Sequence, residues 1–171
     1  MKRLAILRHA KSSWDDPGLD DFNRPLNERG WKAARRVGRE FKRRGLKFDF
    51  VLSSTAARTR ETIDGVQEKY DFAAPIEFEP RLYLASEATL IELVRSLSEV
   101  VKAPLIVGHN PGLEQLVTGL TRNDDKGLRR RAAGKFPTGA LAVVELPARH
   151  WAGVAPGSGK VVELILPKDL D

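Results

Sequence analysis

The 171-residue chain contains no cysteine. Disulfides and thiolate-held metals are therefore excluded, and the absence suits a reducing compartment. Long apolar runs are lacking as well. No stretch approaches the roughly 20 residues of a membrane-spanning helix. Met1-Lys2-Arg3 is followed by too few apolar residues before Arg8 to make a signal-peptide core. A cytoplasmic protein without a membrane partner is expected. Internal repeats, low-complexity tracts and linkers are also missing, so residues 1–171 are expected to form one monomeric domain, large enough to bury a real core.

Charge is present in excess of one sign, at a formal net +6. Much of it lies in Arg35, Arg36, Arg39, Lys42, Arg43, Arg44 and Lys47, and in Arg129-Arg130-Arg131. Such runs are commonly solvated helix faces or polar loops. They can also attract an anionic partner through a long-range field. A nucleic-acid or polyanion binding protein is thus one alternative. The basic stretches lack interleaved aromatics, however, and no helix-turn-helix, zinc-finger or RNA-sheet motif is visible, so no nucleic-acid partner is expected.

The apolar pattern alternates strand and helix. Leu4–Leu7 reads as a short buried strand, and Phe48–Leu52 as a second. Pro75–Phe78, Leu105–Gly108, Ala140–Leu146 and Val161–Leu166 complete the set. A helix is predicted between Asn27, a good N-cap, and Gly45; another runs from about Ala57 to Tyr70. Ser86 caps a third, whose stripe is Leu90, Leu93, Val94, Leu97 and Val101. Asn110-Pro111 reads as a cap followed by proline at the first helical position of a fourth, ending near Leu120. Thr121–Lys135 reads as a charged loop, and Pro147–Lys160 as a long hairpin turn. Strands alternating with helices predict an α/β fold, a three-layer α/β/α sandwich around a mostly parallel sheet. The last two strands have no helix between them and are expected to pair antiparallel at an edge, making the sheet mixed.

Polar residues stand where buried strands end. Arg8-His9-Ala10 follows the first strand, His109-Asn110-Pro111 follows Leu105–Gly108, and Arg58 lies a few residues past Phe48–Leu52. Parallel strands carry all of these to one edge, where ligands of open α/β sheets bind. One histidine after a strand is commonly a hydrogen-bonded structural residue, and Arg8 alone could pair with a surface carboxylate. Arg58 at a helix start opposes the helix dipole by a few tenths of a kcal/mol, roughly, and an anion bound there would explain it. Two imidazoles and two guanidiniums together suit phosphoryl transfer. Neutral imidazole can attack phosphorus. Arg8 and Arg58 disfavour the protonated form of His9 and neutralise phosphoryl oxygens. His109, as a donor, would stabilise charge in the transition state. No metal or cofactor is implied: the arginines repel cations, and no His/Asp/Glu triad with metal spacing occurs.

Leu7-Arg8-His9-Ala10 resembles the RHG signature of the histidine phosphatase superfamily, also called phosphoglycerate-mutase-like, with Ala10 in place of glycine. Ser54-Thr55-Ala56-Ala57-Arg58-Thr59-Arg60-Glu61-Thr62 is similar to the family's Ser-Pro-x-x-Arg-Ala-x-Gln-Thr element, and Gly108-His109-Asn110-Pro111 to its second-histidine motif. Asp21 to Gly30 and the Phe136-Pro137-Thr138-Gly139-Ala140 turn resemble the small SixA-type phosphohistidine phosphatases. The resemblance implies a phosphoglycerate-mutase-like fold, with His9 as phosphorylated nucleophile and Arg8, Arg58 and His109 as phosphate pocket. Arg24 maps onto a phosphate-side arginine of the SixA branch. Many relatives carry an acid after the third strand. Arg81-Leu82-Tyr83-Leu84-Ala85-Ser86 has none there, and Glu87 comes later. A general acid contributes about 10²–10⁴-fold, so its loss disfavours alkoxide leaving groups and favours imidazole. Asp20, Asp21 or a substrate proton could still serve. The resemblance implies a metal-independent, cofactor-free phosphatase acting on phosphohistidine of a signalling protein. Its alternatives are a small-molecule phosphomonoesterase of the same superfamily and an inactive member.

Overall fold

In the computed structural model, which describes residues 1–124 and 126–170, the first apolar run forms β1 (Lys2–Arg8). The chain continues through α1 (Glu28–Arg44), β2 (Phe50–Ser53), α2 (Ala57–Gln67), β3 (Ile76–Phe78), α3 (Glu87–Arg95), β4 (Pro104–Gly108), α4 (Gly112–Leu120), α5 (Leu128–Gly134), β5 (Leu141–Leu146) and β6 (Lys160–Ile165). The six strands make one sheet in the order β3-β2-β4-β1-β5-β6. The first four pair parallel; β5 runs antiparallel to both β1 and β6. The sheet is therefore mixed, with its antiparallel pair at one side.

Burial follows the two-residue period of the strands. Ala5 and Leu7 of β1 pack with Val51, Leu105 and Val107 beneath α1 and α2. Leu4 and Ile6 face the other way, with Ile106, Ala142 and Val144, against α3, α4 and α5. Both faces being covered explains why the strands read as continuous apolar runs. Helix α1 starts at Asn27, whose side chain accepts from Gly30 N–H at 2.8 Å, and stops at Gly45, in the left-handed region at φ 65°.

Several expectations change. Leu97 and Val101 are buried, but beyond the end of α3; the apolar stripe continues through irregular chain after Ser96. The segment read as a charged loop contains α5, which buries Ala132; Asp125 lies outside the described residues. The link between β5 and β6 is no free turn: Trp151 within it is fully buried and donates its indole N–H to the Val101 carbonyl at 2.9 Å. Helix α4 begins at Gly112, directly after Pro111, while Asn110 Oδ1 accepts from Glu114 N–H as a cap would.

Candidate active site

Strand register brings the two histidines together. Arg8 is opposite Gly108 in the parallel β1–β4 pair, and His9 N–H donates to the Gly108 carbonyl at 3.1 Å. The next residues of both strands, His9 and His109, therefore stand side by side, with ring centroids 5.3 Å apart. On the far side of β4, Ser53 of β2 is opposite Val107, and Ser54 N–H donates to the Val107 carbonyl. That register places Ser54 against His109, whose Nε2 lies 2.8 Å from the Ser54 hydroxyl oxygen. Helix α2 starts three residues later and projects Arg58 from its first turn. Arg8, His9, Arg58 and His109 meet, with Arg24, in an open cleft of about 500 Å³ that Lys11, Trp14, Leu84 and Lys135 also line.

The tautomer of His9 follows from its partner. Its Nδ1 lies 2.6 Å from the Ala10 carbonyl oxygen, which can only accept. The neutral ring then carries its proton on Nδ1 and its lone pair on Nε2. Burial pushes the His9 pKa down to about 3, against the Ala10 carbonyl, and the guanidiniums of Arg58, Arg8 and Arg24 push the same way. His109 is also held at about 3, first by burial and then by neighbouring His9 and Arg58. Its Nδ1 is buried without a protein partner. The Ser54 hydroxyl oxygen also accepts from Ala56 N–H at 3.3 Å, and its contact with His109 Nε2 serves either tautomer of that neutral ring.

A second shared contact ties two strand ends together. Ala10 N–H donates to the Thr62 hydroxyl at 2.9 Å, and that hydroxyl donates to the Arg58 carbonyl at 2.6 Å. The backbone beyond β1 is thus bonded to the helix that presents Arg58. Arg8 donates to the Phe136 carbonyl at 3.2 Å, but its Nε is buried without a partner, as is the Nε of Arg58. These unused donors lie on two of the three arginines that line the cleft.

Asp21 is the carboxylate that organises the cations. Its Oδ2 accepts from Arg58 Nη2 at 3.0 Å, and its backbone carbonyl from Arg58 Nη1 at 2.7 Å. Its Oδ1 accepts from Arg24 at 3.0 and 3.2 Å, and the Tyr83 hydroxyl donates to Oδ2. Partial burial opposes ionisation, yet the bonds from Tyr83, Arg58 and Arg24 hold the carboxyl well below the usual carboxylate range. The anion anticipated beside Arg58 at the helix start is met here by Asp21. Arg24 is buried, donates to the Ser12 hydroxyl at 2.6 Å, and lies under the Trp14 ring, 3.6 Å from its centroid.

All five residues singled out in the sequence are thus brought to one cleft. Ser54, Thr62 and Tyr83 stood within the family-like segments without an assigned role, and Trp14 was missed. The Asp21–Arg24 spacing of three residues was a readable signal for an ion pair; nothing local links either to Tyr83, which arrives from beyond β3. Among the described residues no cluster of three or more His, Cys, Asp or Glu side chains could hold a metal ion.

The chain and its fold resemble known proteins. The uncharacterised Mycobacterium tuberculosis protein Rv1276c is 36% identical over 166 residues, covering 95% of this chain and 100% of the relative. A solved Agrobacterium tumefaciens protein, named as a SixA phosphohistidine phosphatase without established activity, is 31% identical; the match covers 97% of this chain and 99% of that one, with a TM-score of 0.79. The protein histidine phosphatase SixA, solved with tungstate, superposes with a TM-score of 0.79 over 98% of both chains at 22% identity, a likeness of fold. The model of the histidine phosphatase superfamily (branch 1) matches residues 4–83, which include most of β1 and Arg8, His9 and Arg58. The chain belongs to the histidine phosphatase superfamily.

Proposed function

We propose that the protein is a metal-independent phosphatase that passes the phosphoryl group through His9, and that its substrate is phosphohistidine on a protein. The observation that carries this reading is the contact of His9 Nδ1 with the Ala10 carbonyl oxygen at 2.6 Å. The His9 Nε2 lone pair is kept free by the Ala10 carbonyl and by burial, in a cleft lined by Arg8, Arg58 and His109. Nε2 attacks phosphorus, and an N–P bond forms as the substrate's N–P bond breaks. Arg8, Arg58 and His109 take the phosphoryl oxygens. Water then attacks phosphorylated His9, its oxygen goes to phosphorus, and phosphate leaves. One water hydrogen ends on the released imidazole and the other on phosphate.

The leaving group supports the choice of substrate. Asp21 is bonded to two arginines of the cleft, and Tyr83, Arg58 and Arg24 keep it ionised. An ionised carboxylate cannot protonate an alkoxide, whereas imidazole departs more readily without help. A second reading starts from the bonds that Arg58 donates to Asp21. Phosphate bound to Arg58 would take that guanidinium from Asp21, raise the carboxyl pKa and turn it into an acid for a small phosphomonoester. The test compares kcat/KM for a phosphohistidine protein with a panel of sugar and nucleotide phosphates. Preference for the phosphohistidine protein, with a labelled, acid-labile and alkali-stable adduct on His9 in rapid quench, is expected. Preference for a monoester favours the second reading, and absence of a His9 adduct under burst conditions overturns both.

A further inference from the structure

The basic surface next to the cleft is not the one the charge runs suggested. On α1, Arg35 pairs with Glu68, and Arg43 and Arg44 pair with Glu40, Arg44 also reaching Glu163 at 2.7 Å. Arg36 donates to the Leu170 carbonyl. Much of that run is therefore neutralised or occupied. At the other end of the helix, Arg29 and Lys32 are exposed, and so are Lys11, Lys135 and Lys168. Among the described residues, none of these five takes part in an ion pair.

The five cations converge from four parts of the chain. A cavity of about 570 Å³ is lined by Lys11, Arg29, Lys135 and Lys168 and shares Lys11, Lys135, Pro137 and Thr138 with the cleft that holds His9. A further cavity of about 280 Å³ shares Lys11 and Arg29 with it and adds Lys32. The positive surface thus starts at the cleft wall and runs outward over the start of α1. No aromatic side chain lines either cavity, so bases would find no stacking platform. Leu166, Pro167 and Ala33 instead supply small apolar surface between the charges. The spread over two adjoining cavities exceeds what one further phosphate would fill.

We propose that this face docks an aspartate- and glutamate-rich segment of the protein substrate, holding it while its phosphorylated side chain enters the cleft. The proposal rests on the reading of the protein as a protein phosphatase and adds where, and by what chemistry, the protein is recognised. Its test uses binding without turnover, so that it stands or falls separately. A fluorescent, unphosphorylated peptide rich in Asp and Glu is titrated with the full chain and with R29E/K32E/K168E, followed by anisotropy. None of the three substituted residues lines the catalytic cleft, and Glu at position 29 suits the first turn of α1. R29A/K32A/K168A serves if the reversed variant melts early. Binding that weakens steeply with salt, and by about tenfold or more in the variant, is expected. No binding, equal binding by both proteins, or tighter binding of a single-stranded oligonucleotide of the same charge would overturn the proposal.

Discussion

Two buried histidines, each lowered from the ordinary 6.5 to about 3, set how single residues of this protein respond to acid. Above pH 6.5 both rings are neutral in the folded and unfolded chain alike. As pH falls from 6.5 towards 3, the unfolded chain takes up protons that the folded chain refuses, so stability is lost with falling pH. Glu40, lowered to about 2, and Asp21, also lowered, add their loss only below their ordinary values of 4.5 and 3.8. The window from pH 6.5 to 4.5 therefore isolates the histidines. Calorimetry should show Tm falling across it, and falling less in H9Q/H109Q. At the cleft itself, His9→Ala should remove the covalent adduct and lower kcat by at least about 10³-fold. Asp21→Asn keeps the shape and one acceptor but cannot become an acid. It should leave turnover of a phosphohistidine protein within about tenfold, whereas a reaction needing the acid falls by about 10²-fold or more. Steady-state rates on both substrate types separate the cases.

Elements differ in how openly the sequence declared them. β1 and β4 were legible because burial on both faces leaves an unbroken apolar run, and the two histidines follow those runs directly. Helix α5 was not. It has seven residues, follows Gly127 without a side-chain cap, and buries only Ala132, so it offers no apolar stripe. Trp151 was hidden for the opposite reason: its surroundings of proline and glycine read as a turn, and its burial depends on Val101 and on Glu99, which accepts from Trp151 N–H at 2.8 Å. Asp21 reaches the site by pairing with Arg58 of α2 and with the Tyr83 phenol, partners 37 and 62 residues away, contacts that no periodicity encodes. One element contact also carries a prediction. A Cβ on Gly30 of α1 would lie 2.1 Å from the Lys11 carbonyl oxygen, in the loop that follows His9. Alanine gains about 1 kcal/mol in helix propensity over glycine, yet this clash is with backbone and cannot swing aside. Gly30→Ala should therefore destabilise the fold by about 1–3 kcal/mol in urea unfolding, against its propensity.

For the molecule as a whole, the cations of the cleft and the lack of a metal-ligand cluster among the described residues predict indifference to chelation. EDTA should leave phosphatase turnover unchanged, and vanadate, a phosphoryl mimic, should inhibit; activity lost to EDTA and restored by a divalent ion would contradict the proposed chemistry. No helix among the described residues is long and apolar enough to cross a membrane. The three tryptophans divide the molecule between them. Trp151 is sealed in the core, Trp31 is half-buried on α1, and Trp14 is 76% exposed at the rim of the cleft, with the Arg24 guanidinium against its ring. The chain thereby contains its own optical reporters. Emission from Trp151 stays blue-shifted until the core opens, whereas emission from Trp14 responds to whatever moves Arg24, so an anion entering the cleft can be followed by light from the unlabelled protein.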